Sequence, residues 1–184
     1  MNNNKRMVCP VCISGLLDSK FRRSLHNPQK ILRPYIQKNM TVLDIGCGPG
    51  VFTLTIAELL EGTGKVIAVD MQEEMLAIIQ NKINGKPIAN NIVLHKCSQD
   101  SINVREKVDF VLMFYMVHEV PSKENLFNEV LPLINKGGLL MIAEPGVLPA
   151  AEFNGMVQNL KDRGFEEYQK IRIMFSKSIV LKKL

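Results

Sequence analysis

The sequence predicts an α/β protein with one doubly wound sheet that is mostly parallel and ends in an antiparallel hairpin. From residue 41 onward, seven strand-like apolar segments alternate with helical ones. The segment Lys65–Val69 is apolar throughout, which is typical of a parallel strand covered by helices on both faces. With 184 residues, 46% of them hydrophobic, the chain is long enough for one core, so we expect a single domain over 1–184.

The first strand, Val42–Ile45, leads into a glycine loop and then a helix, Val51–Leu60. The loop places Gly46, Gly48 and Gly50 at alternate positions. A loop without side chains lets a ligand approach backbone N–H groups beside a helix N-terminus, so it predicts a nucleotide cofactor. Its G-x-G-x-G spacing differs from the G-x-x-G ending that typifies dinucleotide sites.

The second strand ends at Asp70, 24 positions after Gly46. An acid at this place commonly accepts hydrogen bonds from ribose hydroxyls. The alternative is that Asp70 only caps the next helix, Gln72–Lys82. The pairing with the glycine loop favours the ribose role.

The rest of the chain continues the alternation to its C-terminus. The further strands and helices are Ile92–Lys96, Val108–Met113, Ser122–Leu133, LLMIAEP from Leu139, Ala150–Arg163, Glu166–Phe175 and Ser178–Leu181. Lys136-Gly137-Gly138 is expected to form the turn before the fifth strand.

Residues 1–40 carry a net charge of +7, whereas the remainder carries −2. Two amphipathic helices, Leu16–Leu25 and Pro28–Lys38, are expected here as a cap or lid over the strand ends. The charge would suit nucleic acid, an acidic membrane surface or an anionic small molecule, or serve solubility alone. No aromatic residues interleave the charges, which argues against nucleic acid.

Other features bound the location and the metal content. No apolar run reaches the length of a membrane span, and we expect no signal peptide. The four cysteines lack disulfide-like spacing, which predicts a reducing, cytoplasmic setting. Cys9 and Cys12 have the spacing of half a zinc site, but no second pair follows, so no metal is expected.

With these residues in hand, the chain resembles the class I S-adenosylmethionine-dependent methyltransferases, which have a Rossmann-like fold. It is most similar to the small-molecule branch of ubiquinone and menaquinone biosynthesis, type 11. The resemblance spans about residues 28–184 and rests on VLDIGCGPG, VIAVD, VDFVLMFYMVHEV and LPLINKGGLLMIAEP. It implies methyl transfer from S-adenosylmethionine, with S-adenosylhomocysteine as product.

The resemblance also implies roles for individual residues. Asp44, Gly46, Cys47 and Gly48 would hold the methionine part of the cofactor, and Gly50 would permit close approach. Asp70 would bind the ribose, Met71 would pack on the adenine, and Phe114 would approach the methionine. The acid that usually contacts the adenine amino group is missing, so Ser98 or Gln99 replaces it, with Asp100 as the alternative.

His118 and Glu119 are the candidate catalytic residues, and Glu144 is a lesser candidate. An imidazole titrates near neutral pH and could take a proton from the methyl acceptor. The alternative is that His118 shapes the pocket or caps the next helix. A base is optional, because the sulfonium is already activated and displacement needs mainly positioning and exclusion of water.

Three competing functions stay open. A nicotinamide-dependent oxidoreductase shares the fold but not the glycine spacing, and the chain lacks a Tyr-x-x-x-Lys pair. An RNA or protein methyltransferase would use the basic N-terminal segment for docking and would bind with a steep salt dependence. A non-catalytic module would bind the cofactor without transferring a methyl group. The sequence leaves the acceptor and the oligomeric state undetermined.

Overall fold

The computed structural model describes residues 26–184. We number its helices and strands in chain order. They are α1 (Pro28–Leu32), β1 (Thr41–Ile45), α2 (Val51–Leu59), β2 (Lys65–Asp70), α3 (Glu73–Ile83), a 3-10 helix (Pro87–Asn91), β3 (Ile92–Lys96), β4 (Val108–Phe114), α4 (Lys123–Leu133), β5 (Ile134–Pro145), α5 (Ala150–Asp162), β6 (Phe165–Lys170) and β7 (Ser176–Lys183).

The strands form one seven-stranded sheet in the order β3-β2-β1-β4-β5-β7-β6. Strands β1 to β5 pair in parallel, and β7 pairs antiparallel with both β5 and β6. The predicted fold class, including the antiparallel hairpin at the sheet edge, is therefore confirmed.

Alternate residues of the central strands point to opposite faces of the sheet and build two cores. Val42 and its neighbours on one face pack with α1, α2 and α3. Leu43 and its neighbours on the other face pack with α4 and α5. Both faces of β2 are buried, which explains why residues 66–69 read as a continuous apolar run rather than an alternating one.

The strand order reverses between β1 and β4, and this reversal locates the edge of the sheet where a functional site is expected. The path runs outward from β1 to β3, then crosses back to β4 on the other side of β1. At such a reversal the loops that follow the two central strands leave toward opposite faces, which opens a crevice at their carboxyl ends. Residues that follow β1, β2, β4 and β5 therefore meet at one edge.

Three predicted boundaries, in two regions of the chain, are wrong. The helix that begins at Pro28 ends at Leu32, not Lys38, because Pro34 has no N–H to continue the helical hydrogen bonds. Strand β6 ends at Lys170, not Phe175, and β7 begins earlier, at Ser176. Phe175, whose φ of 58° is incompatible with a strand, lies in the turn directly before β7.

The expected Lys136–Gly138 turn is absorbed into β5, which starts at Ile134, directly after α4. Its pairing with β4 shifts register between Val108 and Phe110, so this stretch is an irregular strand start.

Some predictions concern the N-terminal segment. The helix expected over Leu16–Leu25 and the pair Cys9 and Cys12 lie outside the described residues. Between residues 26 and 184, no helix is long and apolar enough to cross a membrane. The same residues contain no group of three or more potential metal-ligating side chains.

Candidate functional site

A cleft of about 930 Å³ lies at the carboxyl ends of the central strands. It is lined by every residue that the sequence analysis assigned to the cofactor or to catalysis except Gly50 and the lesser candidate Glu144. Those lining residues are Asp44, Gly46, Cys47, Gly48, Asp70, Met71, Ser98, Gln99, Phe114, His118 and Glu119. Residues far apart in the sequence thus share one cavity.

The glycine loop is fixed to the end of β2 by its own backbone. The N–H groups of Gly46 and Cys47 both donate to the carbonyl of Val69, at 2.9 and 3.0 Å. Gly46 has a φ of 69°, and a Cβ there would lie 2.8 Å from the Cβ of Met116. Glycine is required at this position by both conformation and space.

The other two glycines of the loop face different surroundings. Gly48 has a φ of 52° and would meet no atom within 4 Å if it carried a Cβ, so its open side is free for a ligand. Gly50 lies behind the cleft wall, where a Cβ would come within 2.7 Å of Ile79 Cγ1. Its missing side chain therefore lets α3 approach the loop.

Asp44 is a buried carboxyl group at the end of β1, with 2% of its surface exposed. It accepts a hydrogen bond of 2.6 Å from Thr53 Oγ1. Burial raises its pKa to about 7, against the opposing effect of the Thr53 hydroxyl, and the nearby Asp70 adds to the rise. A cation placed in the cleft would favour the ionised form.

Asp70 links two backbone segments through its carboxylate. It accepts the N–H of Gly48 and the N–H of Gln72, each at 2.9 Å. Burial raises its pKa, and the backbone hydrogen bonds oppose that rise. The N-cap residue of helix α3 is Gln72, not Asp70. Asp70 instead ties the glycine loop to the β2–α3 turn.

The segment after β3 forms the wall beside Asp70. Cys97 donates its N–H to the carbonyl of Asp70 at 3.0 Å. Ser98 Oγ hydrogen bonds to the backbone of Ser101, which folds the segment into a tight turn. Gln99 and Asp100 line the cleft beside it, so the choice among the three for the adenine contact stays a prediction.

Glu129 of α4 was not anticipated by the sequence analysis, yet it also lines the cleft. Its carboxylate accepts the Ile102 N–H at 2.8 Å and the Ser101 hydroxyl at 3.0 Å. It thereby anchors the segment after β3 to helix α4. No local pattern reveals this role, because the partners lie 27 and 28 positions away along the chain.

Apolar surfaces complete the part of the cleft that contains the glycine loop. The ring of Phe114 is buried and stacks near Phe52, with 4.3 Å between ring centres. Met71 is 37% exposed, so its side chain is accessible at the cleft. Burial raises the pKa of both the Cys47 and the Cys97 thiol, which fits packing roles rather than nucleophilic ones.

His118 lies across the cleft, after β4, in contact with two glutamates. Its Nδ1 hydrogen bonds to Glu144 Oε2, and its Nε2 lies 3.8 Å from Glu119 Oε1. The Glu144 hydrogen bond is the largest cause of a raised His118 pKa, and burial opposes it. The alternative role as a helix cap is not observed, because Ser122 caps α4 by accepting the Asn125 N–H.

A single cavity thus combines a glycine loop, two buried acids and a histidine. Residues 36–175 match the family described as the methyltransferase domain. The chain belongs to this family. The family prediction made from the sequence is thereby confirmed.

Relatives of this methyltransferase-domain chain include the demethylmenaquinone methyltransferase of Lactiplantibacillus plantarum. It is 25% identical over 117 residues, which cover 63% of this chain and 49% of the relative. The chain spans about half the length of the curated relatives that it matches first.

Solved structures share the fold. A SAM-dependent methyltransferase from Aquifex aeolicus superposes with a TM-score of 0.84 at 22% identity, covering 96% of this chain and all of that one. An rRNA methylase from Streptococcus thermophilus gives a TM-score of 0.63 at 22% identity, covering 90% and 99%. At these identities the likeness concerns the fold alone.

Proposed function

We propose that this chain transfers the methyl group of S-adenosylmethionine to a small-molecule acceptor. The observation that carries the proposal is the arrangement of Asp70 and Gly48 at the ends of β2 and β1. A carboxylate suited to ribose hydroxyls hydrogen bonds to a glycine that lines the cleft and would have no atom within 4 Å of an added Cβ. Membership in the methyltransferase domain family supports this use of the cleft.

The residues present fit the cofactor along the whole cleft. We assign Asp70 to the ribose, Met71 with Ser98 or Gln99 to the adenine, and Asp44 to the methionine end. The backbone of the glycine loop and the ring of Phe114 complete the methionine site. Asp44 suits an ammonium group there, since its pKa of about 7 lets a neighbouring cation complete its ionisation at little cost.

When bound, the cofactor supplies a methyl group already activated on a sulfonium. The chain's own contribution is to orient that group toward the acceptor and to exclude water. We assign His118 and Glu119 to the acceptor side, because they line the same cleft from the segment that follows β4. His118 is placed to accept a proton from the acceptor.

A relative and the charge of the N-terminal segment support the proposed class of acceptor. The curated relative named above is described as acting on demethylmenaquinone, a small molecule. We infer an acceptor of that size class, and an anionic one if the basic residues of segment 1–40 face it. The cytoplasmic location is likewise a proposal, based on the cysteine pattern.

Calorimetry and labelling test the proposal together. S-adenosylhomocysteine should bind to the full chain, whereas NAD should not. Methyl-labelled S-adenosylmethionine incubated with a cell extract should place label in the small-molecule fraction. Tight binding of NAD alone would overturn the donor assignment, and label only in RNA or protein would overturn the acceptor class.

A deletion tests the role of the N-terminal segment. Removing residues 1–25 should abolish transfer to the labelled small molecule while S-adenosylhomocysteine still binds. Unchanged transfer would show that these residues do not help to select the acceptor.

A further inference from the structure

Glu144 is a buried carboxylate just behind the cleft wall. It lies near the end of β5, and 1% of its surface is exposed. One carboxylate oxygen accepts the Val117 N–H at 2.9 Å, and the other contacts His118 Nδ1. Burying a carboxylate costs free energy unless its oxygens are hydrogen bonded. The segment that follows β4 supplies a partner for each oxygen of Glu144.

The two contacts fix the orientation of the imidazole ring. The Val117 N–H holds one oxygen in place, which leaves the second directed at His118 Nδ1. A carboxylate can only accept, so Nδ1 must carry the proton. In the neutral ring, Nε2 is then the unprotonated nitrogen.

We propose that Glu144 is a positioning residue that holds His118 as a base with Nε2 available to the methyl acceptor. The inference rests on the proposed function and deepens it. The acceptor atom, or the group conjugated to it, then carries a proton that must leave, as in a phenolic or enolic hydroxyl. An acceptor that is already an anion, such as a thiolate, would gain nothing from this arrangement.

The step balances as follows. The hydroxyl proton moves to Nε2 of His118, and an electron pair of the resulting anion, on the oxygen or on a carbon conjugated to it, forms the new bond to the methyl carbon. A carbon acceptor then loses its own hydrogen as a proton to water. The bond between sulfur and methyl breaks with its electrons remaining on sulfur, which becomes a neutral thioether. Glu144 stays ionised and stabilises the imidazolium that forms.

Other charges act on the same ring. Glu144 and Glu119 both raise the pKa of His118, whereas burial and Lys123 of α4 lower it, and the overall direction is upward. His118 is unprotonated, and so able to act as a base, only above that raised pKa. The rate should therefore rise with pH to a plateau above the ordinary histidine range and fall when the imidazole is protonated.

The substitution Glu144→Gln separates positioning from packing. Glutamine has the same shape, and its oxygen can still accept the Val117 N–H. Its amide nitrogen would then donate to Nδ1, which forces the neutral ring to carry its proton on Nε2. Glu124→Gln is the matched control, because Glu124 lies on α4 and pairs with Arg163 instead.

Nitrogen NMR of the full chain, recorded both without and with S-adenosylhomocysteine, reports the tautomer of His118 directly. We expect the Nδ1–H form of neutral His118 in the wild type and in Glu124→Gln. In Glu144→Gln we expect the Nε2–H form and a lower His118 pKa. The Nε2–H form in the wild type would overturn the proposal even if the variant does not fold, and so would an unchanged tautomer in folded Glu144→Gln.

Methyl transfer provides the second measurement. With 13C-methyl S-adenosylmethionine and the labelled small-molecule fraction, Glu144→Gln should lower the rate about 100-fold while binding of S-adenosylhomocysteine changes less than about twofold. An unchanged rate, or label on a sulfur atom, would overturn the proposal. Failure of S-adenosylhomocysteine to bind the wild type would instead contradict the proposed function, and the NMR result would remain interpretable.

Discussion

The two sides of the cleft are built in different ways. The donor side comprises the glycine loop, Gly46–Gly50, with Asp44 and Asp70. It is held by backbone hydrogen bonds to the end of β2, within a stretch of fewer than 30 residues. The acceptor side comprises His118, Glu119 and Glu144, and its main contact joins side chains 26 positions apart. The proposed donor side therefore depends on backbone shape, and the proposed acceptor side depends on one partly buried hydrogen bond.

The largest effect on S-adenosylhomocysteine binding should follow from removing the carboxylate of Asp70. Asp70→Ala should weaken S-adenosylhomocysteine binding by about 100-fold or more, since two hydrogen bonds to a charged group contribute about 1.5–3 kcal/mol each. Asp162→Ala is the control, because Asp162 pairs with Gln158 on exposed α5. Calorimetry that gave equal affinities for the two variants would remove Asp70 from the cofactor site.

The second prediction concerns stability at the donor side. The folded-state pKa of Asp44 is about 7, above its ordinary value of 3.8. Ionisation therefore opposes folding, and stability is lost as pH rises between those values. Asp44→Asn, which can still accept from Thr53, should raise the free energy of unfolding at pH 8 by about 2–4 kcal/mol, and by less at pH 5.

Urea denaturation at the two pH values measures this difference. A gain of the same size at both would mean that ionisation of Asp44 is not its cause. The stabilised variant should also bind S-adenosylhomocysteine more weakly, because it cannot become an anion.

A smaller effect on stability and binding is expected from adding one methyl group to the glycine loop. Gly46→Ala places a Cβ 2.8 Å from Met116 at a φ of 69°, so we expect a loss of about 1–3 kcal/mol and weaker S-adenosylhomocysteine binding. Gly137 has a similar φ of 79°, but a Cβ added there would have no atom within 4 Å, so Gly137→Ala is the matched control. It should lose about 1–2 kcal/mol and leave binding intact. Urea denaturation and calorimetry compare the pair, and equal binding would disprove the steric argument.

The smallest effect on donor binding should come from the acceptor side. His118→Gln should change S-adenosylhomocysteine affinity by less than about twofold, while methyl transfer falls about 100-fold. Calorimetry beside a labelled-methyl assay separates the two quantities. A large loss of S-adenosylhomocysteine affinity would show that the two sides are not independent.

Much of the fold could be predicted because its signals are local. The bounds of β3 agree at both ends with the prediction, and those of β1 and β2 differ by one residue. The errors arose where one residue overrides a periodic pattern. Pro34 ends a helix whose apolar spacing continues, and the left-handed backbone at Phe175 interrupts a strand-like run.

The candidate site was predictable to a different degree on each side. The glycines and Asp70 stand at fixed distances in the sequence, so their meeting follows from a strand-loop-helix unit. Glu129 was missed, because its partners belong to another segment. The specific roles of the site residues remain predictions that the variants above can test.

By itself, the sequence determined the alternation of strands and helices, the family and the glycine loop with its acid, because each is encoded within a short stretch of chain. Tertiary structure decided which residues support them. Only the packed sheet brings Glu144 of β5 against His118, and the ring nitrogen that carries the proton is inferred from that contact. Spacing places a residue at a strand end, but the electrostatics of a side chain depend on what surrounds it after folding.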